Sequence, residues 1–272
     1  MASFFHFGRS TDSDEKDYFI FIGSRTHFLL SRSLTDRLPD GVFSAIGADR
    51  TYWFAFDQQH EWFSFFNGAG GRLGNTKTDW SYHLEPALRD FLNDNRGDSP
   101  RAVFGPDGTC LLWTLKQPER LGASRTAGRW FDQGQKAEMG RMLKNEWTGQ
   151  STVPIQFAAL GVRGTYYIQF DDGSPSRYDF RKYYQSLVEY VNRRRPHIMF
   201  LALHPQDPNQ YFLIEKNGNI RARVSPRIYA ELRPALDKER QYNKIDVDIS
   251  TVMPRRLVSY RVAEMRHTYS YP

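Results

Sequence analysis

The sequence predicts an α+β fold of five β-β-β-α units that close into a propeller-like ring. An apolar strand, a turn rich in Gly, Pro and Asp, and an aromatic strand recur four times along the 272-residue chain, each time before a helical pattern. A shorter N-terminal copy lacks its first strand, and an extended segment at 257–262 has no unit of its own. If that segment completes the N-terminal copy, the ring closes without a free sheet edge.

The clearest unit spans 153–196. Its apolar strand is predicted at 155–160, and a turn leads from it to an aromatic strand at 165–170. A helix is predicted over 179–195, and Pro196 ends it. The helix has one apolar stripe, as packing against a sheet requires. The stripe consists of Phe180, Tyr184, Leu187, Val188 and Val191.

Two units precede it. The unit at 41–95 starts its hairpin at Val42, and Asp79 is a candidate N-cap for a helix over 80–93. The unit at 100–148 has the hairpin AVFGPDGTCLLW and a helix predicted over 129–147, which its glycines weaken.

The unit at 197–241 has a well-marked helix start. Ser225 is the predicted N-cap, and Pro226 occupies the first helical position, where its missing N–H is not needed. Pro234 should bend or shorten this helix. The predicted apolar face is Ile228, Leu232 and Leu236.

The N-terminal part is predicted to hold the incomplete unit. Residues 1–16 are expected to be a flexible tail, because they lack a continuous apolar pattern. Residues 17–40 supply two strands and a short helical turn, and 255–263 would add the missing strand, so that 17–272 is a single repeat domain. An open solenoid and two layered α+β halves are the alternative architectures.

Composition restricts the classes of function. The net charge of +6 suits a polyanionic partner such as RNA, or simply a solvated basic surface. A single cysteine, Cys110, excludes internal disulfides and a cysteine-rich zinc site, and we expect it to be a small core residue in a cytoplasmic protein. No apolar run reaches the ~18 residues of a membrane span. No phosphate-loop, dinucleotide or zinc-protease motif occurs, so we expect no cofactor and no metal ion. We also expect neither a membrane nor DNA as a partner.

The phrase FAALGVRGTYYIQFDDGS, followed by a helix, resembles a repeat of uncharacterised fungal proteins with units like ALGxxGxYYxxFxDG. The second unit lacks the FxDG element, and the fourth replaces it at 215–218. As a basic, single-domain chain, this protein is similar to the fungal arginine-containing cyclodipeptide synthases. That resemblance implies an enzyme that joins amino acids delivered on charged transfer RNA, without a cofactor.

Two insertions depart from the repeat and are candidate working loops. The stretch at 67–79 combines four glycines with two cations, a composition that can bind phosphate or carboxylate but also suits a plain surface loop. The stretch at 117–130 mixes arginines with an aromatic ring, which can contact an RNA backbone and stack a base. A basic helix end adds a third candidate surface. The predicted RNA-binding residues are Arg72, Lys77, Arg120, Arg125, Arg129, Trp130, Arg193 and Arg194.

Candidate catalytic groups lie beside the first insertion. His60 and Glu61 are the types of side chain that general acid–base chemistry uses, although adjacent strand residues point to opposite faces. Asp79 is the third catalytic candidate.

Four further residues are predicted to bind substrate. Asp171 and Asp172 are a pair of carboxylates that suits an arginine side chain and equally suits a hairpin turn. Trp62 and Tyr167 are aromatic candidates for lining the same pocket.

Two functions follow from these observations. The first is aminoacyl-tRNA-dependent synthesis of an arginine-containing cyclic dipeptide, which needs positioning, a base and a basic surface for the carrier. The alternative is a non-catalytic ring that binds protein, carbohydrate or RNA. A deep pocket lined by Glu61 favours the enzyme, whereas a shallow aromatic face repeated in every unit favours the binding module.

Overall fold

The protein is a mixed α+β structure with small sheets, as the sequence predicts. In the described part of the chain, sixteen strands form five separate sheets, and there are three α-helices. The structure is a computed structural model, and it describes residues 4–9, 17–22, 28–30, 51–56, 62–67, 76–80, 86–94, 99–106, 109–115, 130–133, 139, 155–170, 175–194, 197–238 and 244–249.

The first four sheets each have three strands that pair antiparallel in chain order, and the fifth sheet has a fourth strand that pairs parallel with its neighbour. The strands are β1 (Phe4–Arg9), β2 (Asp17–Ile22), β3 (Phe28–Leu30), β4 (Thr51–Phe56), β5 (Trp62–Asn67), β6 (Thr76–Trp80), β7 (Ser99–Phe104), β8 (Cys110–Leu115), β9 (Trp130–Gln133), β10 (Ile155–Leu160), β11 (Tyr166–Phe170), β12 (Arg177–Asp179), β13 (Ile198–Leu203), β14 (Tyr211–Glu215), β15 (Asn219–Val224) and β16 (Lys244–Ile249).

The first strand of each sheet contacts the first strand of the next. These contacts run from β1 to β4, β7, β10 and β13, and β13 in turn contacts β1. Phe5 of β1 stacks on Phe212 of β14, with ring centroids 4.4 Å apart and planes 10° from parallel. Both rings are buried, so the N-terminal strand is part of the main core.

The turns of two hairpins have the same pattern of hydrogen bonds. Gly105 N–H donates to Thr109 O at 2.7 Å, and Gly161 N–H donates to Thr165 O at 2.9 Å. In both turns the threonine hydroxyl donates to the carbonyl of the residue three positions earlier. The corresponding turn of the last unit runs from His204 to Gln210 and is two residues longer. The hairpins that the sequence predicts near Gly105, Gly161 and His204 are therefore present.

The helices are α1 (Pro86–Asp94), α2 (Gln185–Arg194) and α3 (Pro226–Leu236). The prediction for α3 is confirmed: the side chain of Ser225 accepts from Ile228 N–H, Pro226 is the first helical residue, and the predicted apolar face is buried. Pro234 lies inside α3 without ending it. Cys110 is buried in β8, again as predicted.

Helix α2 begins later than the predicted residue 179. Asp179 belongs to β12, and its carboxylate accepts from the backbone N–H of Arg181 at 2.9 Å. Arg181 and Tyr184 have positive φ angles of 49° and 52°, which an α-helix does not allow. The chain therefore makes an irregular turn before the helix starts at Gln185.

Two further helix predictions are wrong in their bounds. Asp79 lies in β6, opposite Ser64 of β5, so it cannot cap α1. In the same unit, β4 pairs with β5. The predicted strand from Val42 lies outside the described residues. The helix predicted over 129–147 overlaps β9, whose residue Trp130 is paired with Trp113.

The N-terminus differs most from the prediction. Residues 4–9, which were expected to belong to a flexible tail, form β1 and pair with β2 along their whole length. They occupy the position that the C-terminal segment was expected to fill. The expectation fails because the alternation in FFHFGR is short, yet it buries Phe5 and Phe7 on one face. Residues 257–262 lie outside the described residues.

The described helices do not include one that is both apolar enough and long enough to cross a lipid bilayer.

Candidate ligand-binding site

A cleft of about 670 Å³ lies at one end of the fifth sheet. It is formed where the turn between β14 and β15 meets the start of β16 and the C-terminal half of α2. The helix belongs to the fourth unit and the strands belong to the fifth, so the cleft lies between units. Its lining residues are Tyr190, His197, Glu215, Lys216, Asn217, Asn219, Ile220, Arg221, Lys244 and Asp246.

A buried carboxylate is the central group of this cleft. Glu215 is only 6% exposed. Its Oε1 accepts a short hydrogen bond from the hydroxyl of Tyr190, and its Oε2 accepts from the side-chain amide of Asn219 at 3.0 Å. Burial of a carboxylate is costly unless such donors replace water. The two donors fix the orientation of Glu215 and connect α2 to the sheet.

The tight turn after β14 places the donors. Gly218 has a φ of 82°, a left-handed conformation that glycine adopts without strain, and its N–H donates to Glu215 O at 2.9 Å. The turn returns the chain so that Asn219 lies beside Glu215. From there β15 alternates, with Ile220, Ala222 and Val224 buried.

Arg221 forms the second fixed group of the cleft. Its guanidinium carbon lies 4.5 Å from the ring centroid of Tyr190, and its Nη1 donates to Asp246 Oδ2 at 3.0 Å. Its Nε donates to the hydroxyl of Tyr211 at 3.2 Å. Desolvation would lower the pKa of Arg221, but the bond to Tyr211 and the carboxylates of Asp246 and Asp248 outweigh it, so the pKa is raised and the guanidinium stays charged.

The position of β16 explains the contact between Arg221 and Asp246. In the parallel ladder of β15 and β16, Arg221 is the partner of Asp246 and Arg223 is the partner of Asp248. Asn219 is likewise the partner of Lys244, which brings that lysine to the cleft. Opposite charges on paired strand positions stabilise this register.

The cleft can bind a polar ligand of the size of a sugar or a dipeptide. Its volume lies within the range of roughly 300–1,000 Å³ that is typical of small-molecule sites. Amide, hydroxyl, carboxylate and ammonium groups line it, and Tyr190 and Ile220 supply apolar surface. Among the described residues, no three or more His, Cys, Asp or Glu side chains are grouped so that they could hold a metal ion.

Tyr167, predicted to bind substrate, lies in the core. It is 2% exposed, its ring stacks on Phe157 and Tyr178, and its hydroxyl donates to Gln169 Oε1 at 3.0 Å. Burial raises the pKa of this phenol, although a hydrogen bond with Ser176 partly offsets the effect. Its neighbour Tyr166 is buried too, and neither residue lines the cleft of the fifth sheet.

The structure places some of the other predicted site residues on strands and on α2. Trp62 begins β5, Lys77 and Asp79 lie in β6, Trp130 begins β9, and Arg193 and Arg194 end α2. Of these, Arg193 is exposed and does not line the cleft. Outside the described residues are His60, Glu61, Arg72, Arg120, Arg125, Arg129, Asp171 and Asp172.

A sequence signal for the cleft does exist. The segment IRARV places two arginines two positions apart, and IDVDI places two aspartates with the same spacing. Such complementary patterns indicate that the two strands pair, and they fit a parallel and an antiparallel ladder equally well. Glu215 had no such signal, because its burial depends on Tyr190 from another unit.

We compared the chain with models of protein families, with curated proteins and with solved structures, and none of them matches it.

Proposed function

We propose that the five units form a propeller-like ring and that the protein binds a small polar ligand in the cleft between its fourth and fifth units. The ring is supported by the succession of contacts between first strands, by the stacking of Phe5 on Phe212, and by the packing of α3 against both β15 and β2. In this ring, β1 is the closing strand, a role that the sequence predicts for 257–262.

The observation that carries the binding function is Glu215. Glu215 is buried at the wall of the cleft and is held by two donors. An apolar residue at this position would stabilise the fold about as well, so stability alone does not explain a carboxylate here. The carboxylate does present fixed polar atoms, and each carboxylate oxygen has a second lone pair for a ligand donor. Binding sites combine a concave shape with a few such oriented groups.

The test is saturation-transfer NMR with glucose, galactose, arginine and glycerol phosphate as probes. Asn217 lies in the turn at the cleft, and Asn217→Trp fills it with a large side chain. The matched control is Asn192→Trp on the exposed face of α2. We expect at least one probe to bind the natural protein and the control and to lose binding to Asn217→Trp. Binding that is equal in both variants, or no saturable binding of any probe, contradicts the proposal.

A second candidate is the aminoacyl-tRNA-dependent synthesis of an arginine-containing cyclic dipeptide. The resemblance of the unit around Gly161 supports it, together with the net charge of +6. One structural observation favours it: the cleft has the size of a dipeptide and contains two carboxylates, Glu215 and Asp246, that can accept from a guanidinium or an amine.

The enzyme assay supplies transfer RNA charged with labelled arginine, a mixture of the other aminoacyl-tRNAs, and the purified protein. We expect a labelled diketopiperazine in the mass spectrum and a lower yield with Glu215→Gln, which keeps the shape of the side chain. Heat-treated protein is the control for spontaneous cyclisation. If no diketopiperazine forms above that control, the enzyme proposal is wrong, whereas the ligand-binding proposal is judged by the NMR titration alone.

A further inference from the structure

We infer that the cleft holds its ligand by an anionic group, a phosphate or a carboxylate, between Lys216 and Lys244. This inference rests on the proposed binding function and specifies the chemistry of the ligand.

The charges of the cleft are unequal. Three cations, Arg221, Lys216 and Lys244, and two carboxylates, Glu215 and Asp246, line it. Asp246 already pairs with Arg221 at 3.0 Å. Glu215 is buried behind Tyr190 and Asn219, which both donate to it. Both carboxylates therefore already accept hydrogen bonds from the protein, whereas the charges of Lys216 and Lys244 are not balanced within the cleft.

Lys216 and Lys244 are the cations left to a ligand. Both side chains are exposed, and within the described part of the chain neither forms a salt bridge. Lys216 follows Glu215 directly, and Lys244 is the ladder partner of Asn219. Both lysines therefore line the same cleft, where a single anion can pair with both ammonium groups.

The remaining lining groups suit the rest of such a ligand. The side-chain amides of Asn217 and Asn219 suit hydroxyl or carbonyl groups of a ligand. The hydroxyl of Tyr190 donates its proton to Glu215, so its oxygen can accept from a ligand hydroxyl. The volume of about 670 Å³ suits a small anion that carries a polar body. The exposed Arg193 at the end of α2 does not line the cleft.

The experiment is calorimetric titration of the full chain at low ionic strength with inorganic phosphate, citrate and glucose. The variants are Lys216→Gln, Lys244→Gln and their combination. The matched control is the double substitution Lys182→Gln with Lys238→Gln, which removes the same charge at two exposed lysines that do not line the cleft. Phosphate and citrate separate the two possible anionic groups.

We expect one of the two anions to bind the natural protein and the control alike. Each single substitution should weaken binding about tenfold, and the combination should abolish it. An equal loss in the control, or no binding of either anion, overturns the inference. Glucose binding that survives the combined substitution also overturns it, while leaving the binding cleft intact. If a twelve-nucleotide RNA binds through both lysines and phosphate does not, the inference of a small anion is wrong and the ligand is a polyanion.

Discussion

The hydroxyl of Tyr184 donates a hydrogen bond to the backbone carbonyl of His204 at 2.6 Å. The same oxygen accepts from the N–H of Val162 at 3.1 Å. One phenol thereby joins the hairpin turn of the fourth unit to the hairpin turn of the fifth. A third bond, from Tyr184 N–H to Pro208 O at 3.0 Å, reinforces this connection. These bonds hold Tyr184 at a φ of 52°, which costs a non-glycine residue energy.

Replacement of Tyr184 by phenylalanine is expected to lower the free energy of unfolding by about 2–6 kcal/mol. The substitution leaves a buried N–H and a buried C=O without their partner, and each costs roughly 1–3 kcal/mol. Urea denaturation followed by circular dichroism measures the change. Tyr183→Phe removes a hydroxyl from the neighbouring half-buried tyrosine and is the control. A similar loss in both variants would show that the bridge between the turns contributes nothing specific.

The stability should also fall at alkaline pH because of this phenol. Burial is the main cause that raises the pKa of Tyr184 above its ordinary value of 10.0, and its hydrogen bonds only partly offset this. The unfolded chain therefore loses its proton near pH 10, before the folded chain does. The contribution of the protonated Tyr184 to the free energy of unfolding is therefore complete below that pH. It decreases as the pH rises further, by at most about 1.4 kcal/mol per pH unit.

Urea titrations between about pH 8 and about pH 11 measure this dependence. In Tyr184→Phe the decline should be shallower, because the titrating group is gone. Some decline should remain, since burial raises the pKa of Tyr167 in the same direction. If the free energy of unfolding of Tyr184→Phe depends on pH as steeply as that of the natural protein, the pKa of Tyr184 is not raised in the folded state.

The sequence predicts those parts of the fold that local patterns specify. Ser225 and Pro226 determine the start of α3 by a hydrogen bond and a fixed φ, so no distant contact is needed. The hairpins on either side of Gly161 and Gly105 follow in the same way from their turns. In both cases the interactions lie within a few residues along the chain.

The parts that could not be predicted depend on distant partners. Helix α2 starts late because Arg181 and Tyr184 take left-handed conformations, and the bonds of Tyr184 that support this reach residues at 204 and 208. Strand β1 is determined by the packing of Phe5 on Phe212, more than 200 positions away. The cleft combines Tyr190 with Glu215, two residues whose sequence contexts give no sign of contact.

A methyl group at Gly161 is expected to destabilise the junction between the turns. A Cβ there would lie 2.5 Å from the hydroxyl oxygen of Tyr184 and 2.7 Å from Thr165 Oγ1. Overpacking of this kind costs about 1–3 kcal/mol. Gly161→Ala should therefore lower the midpoint of urea denaturation, and part of this effect should vanish in a Tyr184→Phe background, because the closest atom is absent there.

Gly164→Ala is the matched control for this cycle. A Cβ at Gly164 has open space, with Arg181 Nη2 at 3.9 Å as its nearest neighbour, but the φ of 76° disfavours alanine. We expect a loss of about 1 kcal/mol that is the same with Tyr184 or Phe at position 184. If the two glycine substitutions respond alike to Tyr184→Phe, the steric explanation for Gly161 is wrong.

The last prediction concerns the N-terminal strand. Phe5→Ala removes a ring that is 1% exposed and stacked on Phe212 at 4.4 Å, so the free energy of unfolding should fall by about 3–5 kcal/mol. Phe5→Leu keeps most of the apolar volume and should cost less than half as much. Deletion of residues 1–9 should give a chain that binds a hydrophobic dye and unfolds without cooperativity, because β2 and β13 both lose their contact with β1. A truncated chain with the stability of the full chain would instead agree with a dispensable tail, and would exclude β1 as the strand that closes the ring.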